Sequence, residues 1–354
     1  MRQRTSMLCS FVLFGLVGAT AFVNNTQSQT PTAAPSGPGY HLLKKFEAGG
    51  EGGWDYLTVD SAARRLYVSR STRVMVFDAD TGKSIGEIPD TAGVHGIAIA
   101  SDLGRGFTSN GRDGSVTIFE LKTLKPISKV KVGTNPDCIL YDPATHRVFA
   151  FNRGSSDVTA IEAKTGEVAG LIPLGGHPEF ATADGKGMVF VNLDDKSEVV
   201  AIDSKKLVAK AHWPVAPGED CSGMAIDRKH MRLFSVCGNK KMTVMDANTG
   251  KVVADVAIGG GTDAAGFDPE TNLAFSSNGE GTLTVVHEDS PDKYSVVANV
   301  PTQRGARTMA LDPKTHNVFL AAAQYGPAPP ATPEHPNPRG PMLPNSFVIL
   351  VFGK

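Results

Sequence analysis

Apolar and polar residues alternate in short runs along the chain, as at Val74 and Val76 or Val116 and Ile118. Strand side chains point to opposite faces in turn, so this period of two predicts half-buried strands. The pattern itself recurs. An aromatic inside an apolar run returns at Tyr67, Phe107, Phe149, Phe190, Phe234, Phe275 and Phe319, at intervals of 40 to 44 residues. Turns opened by Asp recur with it: DSAARR at Asp60, DPATHR at Asp142, DRKHMR at Asp227, DPETN at Asp268 and DPKTHN at Asp312. Asp accepts bonds from turn amides and Pro presets a turn angle, so each is a hairpin signal. Further on in the repeat, DADTGK from Asp78, EAKTGE from Glu162 and DANTGK from Asp246 place Gly where a short turn needs a positive φ.

Four short strands and their turns occupy a period near forty, which is one propeller blade. The chain ends complete the count. The last repeat, from Arg307, supplies three strands, the third over Phe347 to Phe352, and an orphan strand, His41 to Phe46, precedes the first repeat. Pairing the orphan into the last blade removes an exposed edge. The expected fold is therefore all-β: a seven-bladed β-propeller of four-stranded antiparallel blades over residues 40–354, its ring closed by the N-terminal strand.

What precedes that strand reads differently. Arg2 and Arg4, the apolar run Met7 to Val17 and the small-x-small Ala19-Thr20-Ala21 have the form of a signal peptide over residues 1–21. An uncleaved anchor is the alternative. Residues 22–39, rich in Thr, Gln, Pro and Ser, read as a flexible linker. Export to the periplasm or the extracellular space follows. The formal net charge of −1 carries no footprint of a nucleic-acid binder, and no transmembrane segment is expected in the mature chain. Cys138, Cys221 and Cys237 remain after cleavage, without a CxxC pair. Cys221 and Cys237 face each other across one hairpin, one step off register when Asp227 is paired with Arg232, and an oxidising compartment permits their disulfide.

The segments LYVSR from Leu66, GTNPDCILYDPATHRVFAFN from Gly133 and MTVMDANTGKVV from Met242 resemble the YVTN-type repeats of the YncE-like bacterial propellers. The family's Tyr-Val-Thr-Asn tetrad is never intact; Phe107-Thr108-Ser109-Asn110 and Phe149-Ala150-Phe151-Asn152 come closest. The resemblance implies an exported ring of blades with binding at one face; it does not carry a reaction.

Aligned on the first-strand turns, the residues at one mouth of the central channel are Asp55, His95, Asp137, Glu179, Ser222, Asp263 and Arg307. A second set on that face closes the second strands: Arg70, Asn110, Asn152, Asn192, Asn239 and Asn278. One reading is a polar funnel that holds a cation or a polar ligand. The other is structural: Asp caps loop amides and Asn satisfies tight turns. The proline-rich segment Tyr325 to Pro341 rises on the same side, either as a lid carrying His335 and Arg339 or as a solvated loop. His146, His230 and His316 fall in turns of the opposite face, and His95, His177 and His335 on the funnel face. No GxSxG and no phosphate-binding Gly loop before a helix is present. Two functions compete: a monomeric scaffold binding an unidentified protein or small polar ligand at its acidic funnel, and a metal-assisted, lactonase-like hydrolase with a divalent cation such as calcium at the mouth.

Overall fold

The computed structural model describes residues 39–354 except 333–337 and 339. The signal peptide, all of the linker but Gly39, and His335 and Arg339 lie outside the described residues.

Seven four-stranded antiparallel sheets follow one another around a ring. Blade 1 runs Leu57–Asp60, Arg65–Arg70, Arg73–Asp78 and Ser84–Ile88, from the channel outward. Blades 2 to 6 repeat that order from first strands Val94–Ala100, Pro136–Asp142, Pro178–Ala183, Cys221–Asp227 and Thr262–Asp268. Blade 7 is Met309–Asp312, Asn317–Ala322 and Val348–Gly353, with His41–Glu47 as its outer strand. The orphan strand thus closes the ring: Lys45 pairs with Leu350 and Phe46 with Ile349, antiparallel.

Each element forms where its residues dictate. The seven recurring aromatics, Tyr67 to Phe319, lie on second strands and are wholly buried between blades. Outer strands alternate openly to solvent, as in Val208–Pro214. The turn aspartates work as turn chemistry requires: Asp60 accepts from the amides of Ala62 and Ala63, and Asp227 from those of Lys229 and His230. Two turn glycines have a further role. Gly82 and Gly250 stand at φ 70° and 74°. A Cβ at Gly82 would meet Phe46 at 2.2 Å, and one at Gly250 would meet Trp213 at 2.1 Å. The absent side chain lets an aromatic from the preceding blade's outer strand close over the turn.

Cys221 and Cys237 form a disulfide. The expected one-step offset is absent. Asp227 does pair with Arg232, but a register shift between Cys221 and Met224 adds a residue to the first strand and sets Cys221 directly opposite Cys237. Cys138 is a free, buried thiol. Among the described residues no helix is long and apolar enough to cross a membrane.

Candidate functional site

The shift that aligns the cysteines recurs in the first strands of blades 2 to 6. It falls between Val94 and Ile97, Pro136 and Ile139, Pro178 and Ala181, Cys221 and Met224, and Thr262 and Ala264. Each bulge contains the mouth residue of its blade: His95, Asp137, Glu179, Ser222 or Asp263. Bulges re-aim side chains. In blades 1 and 7 pairing begins only at Leu57 and Met309, so Asp55 and Arg307 precede the ladder. All seven positions line one cavity of about 440 Å³, together with Tyr56, Phe180, Asp194 and Asp220.

The residue following the mouth position is small in five blades (Gly96, Cys138, Gly223, Ala264 and Thr308) and aromatic in two, Tyr56 and Phe180. Blades 1 and 4 lie across the ring from each other, and these two rings stack at 4.3 Å between centroids. The mouth is thus an acidic cup with an aromatic wall. The phenol of Tyr56 is buried, beside the buried thiol of Cys138.

Serines at the ends of second strands hold the cup's backbone. Ser69 Oγ accepts from the Asp55 amide (2.9 Å), and Ser109 Oγ accepts from the Gly96 amide (2.8 Å) and donates to the Asp137 carbonyl of the next blade. Ser277 Oγ donates to the Arg307 carbonyl.

The carboxylates divide the two readings of the mouth. Asp60 and Asp227, in the opposite-face turns, accept from backbone amides. Asp55, Asp137, Glu179 and Asp263 accept from no backbone amide among the described residues. His95 Nδ1 lies 2.6 Å from Asp55 Oδ2 and 3.7 Å from Asp137 Oδ1. Arg153 bridges Glu179 and Asp194, 2.6 Å from the latter. Arg307 Nε lies 3.4 Å from Asp263 Oδ2, an oxygen that is buried and without a hydrogen bond.

The electrostatics follow from crowding six acids into a half-closed space. Burial raises Glu179 to about 8, the charge of Asp137 adding to it and Arg153 opposing. Burial raises Asp263 to about 7, Arg307 opposing and Asp55 and Asp137 adding. Asp137 rises to about 6, again from burial first. Burial works to lower His95, but its bond to Asp55 and the charges of Asp137 and Asp55 outweigh that and raise it. Near neutral pH the cup therefore retains protons on carboxyl groups.

The second set does not join the cup. Asn110, Asn152 and Asn278, expected with the ligand-binding residues, are fully buried, hydrogen-bond inside their own blades and do not line the cup. Asn110 donates to Ser115 and Thr117, Asn152 to Asp157 and Thr159, and Asn278 to Thr282 and Thr284. Asn192 donates to the carbonyls of Ser222 and Gly223, bracing the bulge of blade 5. In that blade the closing position of the second strand belongs to Cys237, and Asn239 lies in the loop beyond it. Arg70 is buried against the Phe347 ring, 3.8 Å from its centroid. His177 stands half-exposed outside the cup, 4.0 Å from Asp194. Sequence reasoning missed Tyr56, Phe180, Asp194 and Arg153. The column beside the mouth residues held a signal for the two aromatics, since only there do two rings interrupt five small residues.

No family model matches the chain, and no curated protein matches it. The YVTN-type resemblance therefore gains no support from these comparisons. Solved structures do match. A chain of "Crystal Structure of Mitotic Checkpoint Complex" aligns at TM-score 0.71 and 14% identity, over 98% of this chain and 99% of that one. "Crystal structure of RRP9 WD40 repeats" aligns at 0.71 and 10%, over 91% and 99%. "Structure of U3-55K" aligns at 0.69 and 10%, over 88% and 98%. At such identities the likeness shows the propeller fold alone.

Proposed function

We propose that the chain is an exported binding scaffold that captures a cationic group, of a small ligand or a partner protein, in the acidic cup. One observation carries this reading: Asp55, Asp137, Glu179 and Asp263 converge on one open cavity, and among the described residues none of the four caps a backbone amide. A structural role for these acids would leave them bonded to turns, as Asp60 and Asp227 are. An approaching cation relieves their repulsion, and the Tyr56–Phe180 wall offers an aromatic face to it. Scaffold use agrees with the solved structures of this fold, one of which is a chain of a mitotic checkpoint complex. Export agrees with the signal-like N-terminus and with the Cys221–Cys237 disulfide, which an oxidising compartment sustains.

A melting-temperature screen with tetra-arginine, spermidine and tetra-glutamate tests the reading. The cations should stabilise wild type, and the Glu179→Gln/Asp263→Asn variant should lose that response. Stabilisation by tetra-glutamate alone would overturn it. A second reading, the metal-assisted hydrolase, draws on the grouping of Asp55, His95 and Asp137, whose ligand atoms all lie within 4.8 Å of one another.

A further inference from the structure

Two other groups of metal-ligating side chains exist among the described residues. In one, His177 is half-exposed and stands 4.0 Å from Asp194, outside the cup. In the other, on the opposite face, His230 Nδ1 lies 2.7 Å from Asp227 and 3.1 Å from Glu288, both carboxylates being buried in a turn between blades 5 and 6. Asp55, His95 and Asp137 differ from both, because all three line a cavity of about 440 Å³ that opens to solvent.

We propose that Asp55, His95 and Asp137 bind a divalent transition-metal ion on one side of the cup, leaving the Glu179 and Asp263 side for the cationic ligand. This rests on the cup being the binding site proposed above. The donor set is one imidazole nitrogen and two carboxylate oxygens. Zinc, manganese and cobalt accept such mixed sets, whereas calcium takes six to eight oxygens, so the calcium expectation gives way to a nitrogen-accepting ion. Metal–ligand bonds of about 2.1 Å put neighbouring donor atoms about 3.0 to 3.4 Å apart. His95 Nδ1 lies 3.7 Å from Asp137 and 2.6 Å from Asp55, the shorter separation being a hydrogen bond whose proton an incoming metal would displace. The three residues come from consecutive blades, so rigid sheets set their spacing.

One further observation points to an ion. The Asp137 side chain, only 9% exposed and lining the cup, accepts no hydrogen bond from the described residues and has His95 Nδ1 at 3.7 Å as its ion-pair contact. Three protein donors leave coordination positions for water or a ligand group, which is the arrangement of an open rather than a closed metal site.

Equilibrium dialysis of chelator-stripped full-length protein against Zn²⁺, Mn²⁺ and Ca²⁺, with elemental analysis, tests this. Wild type should bind one equivalent of Zn²⁺ or Mn²⁺ in the presence of tenfold Ca²⁺. His95→Gln and Asp55→Asn should each weaken binding at least tenfold, their melting curves verifying the fold. His230→Gln and Glu179→Gln/Asp263→Asn should retain the ion. Absence of stoichiometric metal from wild type, or loss of metal in His230→Gln but not in His95→Gln, would overturn the proposal. Metal retained with no response to tetra-arginine would instead sink the cationic-ligand reading and leave the metal site standing.

Discussion

Replacing Asp263 by Asn isolates the cost of crowded charge in the cup. The carboxyl group stands at about 7 in the folded protein against an ordinary 3.8. A raised carboxyl pKa means the folded state holds the proton more tightly than the unfolded chain does. Stability is therefore full below about pH 4, falls as pH rises, and reaches its floor above about pH 7. At about 1.4 kcal/mol per pH unit the difference amounts to about 4 kcal/mol, an upper value because Arg307 and neighbouring carboxyls respond to the change. For a domain of this size that corresponds to about 6 °C in melting temperature. Asp263 accepts no hydrogen bond that Asn would need to replace. Calorimetric melting of wild type and Asp263→Asn from pH 4 to 9 checks the reasoning. The variant should match wild type near pH 4 and melt about 5 °C higher at pH 8. A constant gap across that range, or a less stable variant at pH 8, would refute it.

Other expectations follow from the same geometry. Removing His41 to Phe46 unpairs Val348–Gly353 and exposes Phe46's contacts, whose burial contributes about 2 kcal/mol; the truncated protein should aggregate or melt well below wild type, and an unchanged melting temperature would contradict ring closure. Reducing the Cys221–Cys237 bond, which spans 16 residues, should cost about 3 kcal/mol in denaturant titration, and non-reducing mass spectrometry should find both cysteines blocked. Arg153→Met removes the cation between Glu179 and Asp194. It should cost about 2 kcal/mol at pH 9 and less below about pH 8, where Glu179 carries its proton, as read from melting across pH.

The ring of blades was legible because its period is local: an aromatic returns every 40 to 44 residues, with the quoted Asp turns in five repeats and a Thr-Gly turn in three. The convergence of Asp55, His95, Asp137, Glu179, Asp263 and Arg307 followed from the same alignment, since equivalent positions of a closed ring meet at the axis. The bulges were not legible. An inserted residue shows only against its partner strand's register, so Cys221 and Cys237 read one step apart. Nor was the burial of Asn110, Asn152 and Asn278, because whether an amide faces the cavity or its own hairpin depends on neighbouring hydroxyls such as Thr117, Thr159 and Thr284. Arg153 and Asp194 enter the cup from loops that the first-strand alignment does not reach.

Calorimetric titration of the full-length protein with tetra-arginine at pH 7, in two buffers of different ionisation enthalpy, tests the central claim most directly. Glu179 at about 8 and Asp263 at about 7 hold protons that an incoming cation must displace. The account predicts binding with net proton release, tightening as pH rises from 6 to 9, and no release from the Glu179→Gln/Asp263→Asn variant. Binding without proton exchange, or binding equally tight in that variant, would contradict it.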